Sequence, residues 1–142
     1  MNGLSEQIKK IFEGAALCTG TTVAVEFYGN PYDDMNQNNR GTALIEEVMA
    51  DMDLDFEPGP AALGGSSDIG NVSYQCAAFH PKLRLAGEPK VCHSKEFAAA
   101  MLEPTIEQTI IDGANIIGGT VLRLVEHPEI LEEIVAEFNN SK

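Results

Sequence analysis

Residues 21–28 read TTVAVEFY, and this stretch decides the fold that the sequence predicts. Val23, Val25 and Phe27 occupy every second position, and this period of two is typical of a half-buried β-strand. The apolar residues before them recur at helical spacing and end near Gly20, so an amphipathic helix is expected to lead into the strand. The start of the chain therefore predicts a helix followed by a strand.

Similar patterns predict the remaining elements. Apolar residues at helical spacing indicate helices near residues 39–52, 105–124 and 128–138, and shorter alternating runs indicate strands near 72–76 and 83–85. This order favours an α/β or α+β layer architecture. Because so small a sheet leaves unpaired edges, we expect the chain to form a homo-oligomer or to pair with another chain.

The composition is that of a folded protein with the size of one domain. The chain has 142 residues, of which 44% are hydrophobic and 22% charged, and its formal net charge is -13. This charge disfavours nucleic acid and anionic membrane surfaces as partners. The sequence has no apolar run long enough for a bilayer and no signal-peptide pattern, so we expect a cytoplasmic protein. Three widely spaced cysteines argue against a disulfide framework.

The densest group of polar residues lies between residues 64 and 93. The loop GGSSD at residues 64–68 could present backbone N–H groups and hydroxyls to an anion, although an isolated loop of this kind is more often a simple turn. His93 stands where a helix begins and could bind zinc, and His80 is a second candidate. A lone histidine is more often a surface residue than a metal ligand. Spacing alone does not decide between these interpretations.

Other chemistry is weakly indicated by the residues themselves. Asp33 and Asp34 could form a ligand pair, but a solvated turn is the more frequent role for such residues. The sequence contains neither an HxD nor an HExxH motif. Since a hydrolytic zinc centre needs three or more protein ligands, the residue pattern alone does not define one.

Three motifs together resemble a known family. They are GGSSDIGNVS at residues 64–73, FHP at 79–81 and CHSKEF at 92–97. With the order of the helices, they resemble the C-terminal part of peptidase family M twenty, and most closely its aminoacylase-like, p-aminobenzoyl-glutamate hydrolase and carboxypeptidase G members. The resemblance spans essentially the whole chain, although Ala77 stands where relatives often have proline.

The resemblance implies a zinc-dependent catalytic α/β domain with a smaller lid, or dimerisation, domain inserted into it. Residues 1–29 would be the last helix and strand of the lid, and residues 30–142 the C-terminal segment of the catalytic domain. It makes His93 a ligand of one zinc ion. It also implies a substrate-binding role for five residues: Gly65, Ser66, Ser67, Asp68 and His80.

The resemblance also implies a missing part. The family's other metal ligands and its general base belong to a region upstream of these residues, so no catalytic residue is expected in this chain. We expect a C-terminal portion of an amidohydrolase or peptidase, acting on N-acyl amino acids or small peptides, that is inactive unless a separate chain supplies the rest. The alternative is a non-catalytic truncated module for binding or oligomerisation.

Overall fold

The computed structural model describes residues 2–59, 67–85 and 90–141. The chain divides into two compact units, unit 1 (Met1–Pro31) and unit 2 (Tyr32–Lys142). The assignment of the N-terminal part to a lid domain stays a prediction. Six helices are described, and their bounds are α1 (Asn2–Thr19), α2 (Asn39–Asp51), α3 (Ile69–Ser73), α4 (Lys95–Ala100), α5 (Thr105–Glu126) and α6 (Pro128–Asn140).

The expected α/β fold is wrong, because every regular element in the described ranges is a helix. In unit 1, α1 ends where Gly20 adopts a φ of 68°, as the sequence predicted. Residues 21–28 then form no regular element, and their side chains are exposed. A strand is stabilised by hydrogen bonds to a neighbouring strand, and an alternating pattern does not supply that neighbour.

The two other expected strands are also wrong. Val72 lies in α3, and its carbonyl oxygen accepts hydrogen bonds from the N–H groups of Gln75 at 2.8 Å and Cys76 at 3.1 Å. These local bonds satisfy backbone groups that would otherwise bond to a neighbouring strand in a sheet. Leu83, in the third expected strand, lies in an irregular segment and packs against the helical core instead.

The core of unit 2 forms where α2, α5 and α6 pack against one another. One cluster joins Ile45 and Met49 of α2 to Ile116 of α5, and Phe79 packs against it from the segment after α3. These contacts bury the apolar faces whose helical spacing was visible in the sequence. The helices predicted for this region are therefore confirmed.

The N-terminus of α2 is capped from within and from another helix. The buried Asn38 side chain accepts a hydrogen bond from Gly41 N at 2.9 Å and donates one to the Ile134 carbonyl of α6 at 2.9 Å. The carboxylate of Glu137 in α6 accepts from Asn39 N and from Arg40 N, both at 2.8 Å. Backbone N–H groups that a helix start leaves unpaired are thus satisfied by α6.

Charged side chains extend this contact across all three helices. Arg40 pairs with Glu133 of α6 at 2.7 Å and with Glu47 of α2 at 3.5 Å. Arg123 of α5 pairs with Glu47 at 3.9 Å and with Asp51. Two arginines therefore bridge carboxylates of neighbouring helices in a protein whose net charge is strongly negative.

Helix α5 is the longest element, with 22 residues. Ile116 and Thr120 are buried on its core face, and the Thr120 hydroxyl donates to the Ile116 carbonyl at 2.7 Å. None of the helices in the described part of the chain combines the length and the apolar content that crossing a membrane requires.

Gly41 is a sharp test of the core, because a methyl group there would overlap the ring of Phe79. We expect Gly41→Ala to lower the free energy of unfolding by about 2 kcal/mol, as overpacking does. The control is Gly118→Ala in α5, where the added carbon meets no neighbour within 4 Å. Since alanine favours a helix over glycine, the control should raise stability by about 0.5–1 kcal/mol in urea denaturation.

The cap formed by Glu137 should make stability depend on pH. The N–H groups of Arg40 and Asn39, the first being the stronger influence, hold the pKa of the Glu137 carboxyl below its ordinary value. The ionised Glu137 carboxyl therefore contributes fully to stability above the ordinary glutamate pKa. This contribution is lost as the pH falls through the lowered pKa of the folded protein. Glu137→Gln should cost about 1 kcal/mol at pH 7 and much less near pH 3. An equal loss of stability for Glu137→Gln at both pH values would contradict this. The same pH dependence of stability for the exposed variant Glu132→Gln would contradict it as well.

Candidate functional site

The expected substrate loop leads directly into α3. Gly65 and Ser66 lie outside the described residues. The half-buried Ser67 accepts a weak hydrogen bond at 3.4 Å from the N–H of Ile69, and its carbonyl accepts from Gly70 N at 3.3 Å. Asp68 is the exposed residue immediately before α3. Ser67 and Asp68 therefore form the turn that starts this helix, and their substrate-binding role stays a prediction.

Helix α3 is held by residues 33–36, a contact that the sequence did not indicate. Ser73 is fully buried, and its hydroxyl accepts from Asn36 N at 2.8 Å and donates to the Gly70 carbonyl at 2.6 Å. The side chain of Asn71 accepts from Asp33 N at 3.2 Å. A methyl group at Gly70 would overlap the Asp33 carbonyl oxygen, so only glycine fits this close approach. These bonds attach α3 to the segment that precedes α2.

Asp34 belongs to the same contact. Its carboxylate accepts a hydrogen bond from the Tyr74 hydroxyl at 3.1 Å, and this bond raises the pKa of the Tyr74 phenol. The phenol is thereby held as a neutral donor. Asp33 and Asp34 thus both contact residues of the α3 region, which agrees better with a structural turn than with a pair of metal ligands.

His80 and His93 are both exposed. His80 follows the core residue Phe79, so its backbone is anchored although its ring faces solvent. His93 has a φ of 63°, in the left-handed region. The next residue, Ser94, caps α4 by accepting a hydrogen bond from Phe97 N at 3.0 Å. His93 therefore occupies a strained turn directly before a capped helix, which is a kind of position where functional residues are found.

Zinc requires three or more protein ligands, and the described residues do not bring them together. Within residues 2–59, 67–85 and 90–141, no three side chains of the types His, Cys, Asp and Glu are grouped so as to hold a metal ion. Glu96 stands three residues after His93, a spacing that sequence reasoning missed, and both side chains are exposed. Cys18, Cys76 and Cys92 are exposed free thiols. These residues do not fit a zinc site on their own.

Comparison with known proteins relates the chain to a class of peptide-bond hydrolases, the dipeptidases. In particular, it is 26% identical over 138 residues to Xaa-Arg dipeptidase of Mus musculus and 25% identical over 138 residues to Xaa-Arg dipeptidase of Homo sapiens. Each match covers 95% of this chain, but 32% and 31% of the respective relative. No protein-family model and no solved structure matches the chain.

The comparison confirms the sequence-based resemblance in part. The chain is distantly similar to a peptidase along nearly its whole length, and it spans about a third of the length of the curated relatives it matches. The name of these relatives describes enzymes that act on dipeptides containing arginine. The similarity supports a loose relationship to peptidase family M twenty, while the metal, the substrate and the site residues stay predictions.

The strain at His93 can be measured separately from its side chain. Because an L side chain at positive φ costs about 1 kcal/mol relative to glycine, we expect His93→Gly to be more stable than His93→Ala by roughly that amount. Both variants lack the imidazole, so their difference in urea denaturation reports the backbone alone. The control is Ala98→Gly inside α4, where glycine should instead lower stability by up to about 1 kcal/mol. A His93→Ala variant as stable as His93→Gly would show that the turn is unstrained.

Proposed function

We propose that this chain is a C-terminal portion of a metal-dependent amidohydrolase or peptidase. The observation that carries the proposal is the similarity to Xaa-Arg dipeptidases over 95% of the chain. The motifs around Ser67, His80 and His93 support it, since they resemble the same kind of enzyme. The reaction is hydrolysis of one amide bond, in a small peptide or an N-acyl amino acid.

We further propose that the chain does not catalyse this reaction alone. The described residues supply neither a three-ligand metal group nor a general base placed beside one. Zinc is the proposed cofactor of the assembled enzyme, and His93 is the ligand that this chain would contribute. The remaining ligands would come from a separate polypeptide. Self-association, which the exposed apolar residues of unit 1 also favour, is a second proposed contact.

The proposed substrate is a small amide, and a cationic one is favoured by charge. The chain carries a formal charge of -13, so its field attracts a positively charged dipeptide. A dipeptide containing arginine, as in the name of the relatives, fits this preference. Residues 65–68 and His80 are proposed to contact it.

A second candidate function is a non-catalytic module for binding or oligomerisation. It is favoured by the same observation that argues against catalysis by the chain alone, because the described residues group no metal ligands. The two candidate functions predict different results when the other part of a hydrolase is present: the first predicts hydrolysis and the second does not.

Hydrolysis by the purified chain and by a reconstituted mixture distinguishes them. With zinc present, we expect the chain alone to release no amino acid from Xaa-Arg dipeptides or N-acyl amino acids. Co-expression with the polypeptide from the reading frame directly upstream should produce zinc-dependent hydrolysis. His93→Ala should reduce that activity by at least about 100-fold, whereas the exposed His127→Ala should leave it unchanged.

Two results would contradict the proposal in different ways. Zinc-dependent activity of the chain alone that His93→Ala abolishes would show a complete active site. A co-expressed and stably bound upstream polypeptide that gives no hydrolysis would favour the non-catalytic module.

A further inference from the structure

We draw no further inference here: the strongest candidate, the cleft of about 280 Å³ between α2 and α5 that is lined by Val48, Met52 and Leu122, carries none, because the charged side chains Asp51 and Arg123 at its edge pair with each other and nothing in the structure shows what occupies or covers it.

Discussion

The arrangement of unit 2 depends on how the start of α2 is capped. Asn38 satisfies one N–H of its own helix and at the same time donates to the Ile134 carbonyl, so a single buried side chain fixes α2 against α6. Glu137 adds a carboxylate at the positive end of the α2 dipole. Because α2 also packs against α5, the cap that holds α2 in place also positions the α2 residues of the core cluster against α5.

The helices could be predicted from the sequence because their signals are local. Apolar residues at helical spacing predicted α1, α2, α5 and α6. The contribution of Glu137 could not be predicted, because it comes from almost 100 residues further along the chain. The prediction of a sheet was wrong for a related reason. Alternating apolar and polar residues at 21–28 are typical of a strand with one buried and one exposed face. A strand also needs a neighbouring strand for its backbone hydrogen bonds, and no described segment provides one.

The candidate site could be predicted only in part. The motifs directed attention to Ser67, Asp68 and His93, and the structure places the first two at the start of α3 and the third in a left-handed turn. The attachment of α3 to residues 33–36 was missed, since it joins positions almost 40 apart through single hydrogen bonds. The one local signal was Gly70, whose lack of a side chain permits the close approach of the Asp33 carbonyl.

The proposed function requires that this chain contributes to a metal site and does not complete one by itself. Calorimetric titration of the purified chain with zinc tests it most directly, because coordination by three or more protein ligands gives tight binding in a one-to-one ratio. The account predicts no one-to-one binding tighter than about 10 µM. Submicromolar one-to-one binding that disappears in His93→Ala would contradict it.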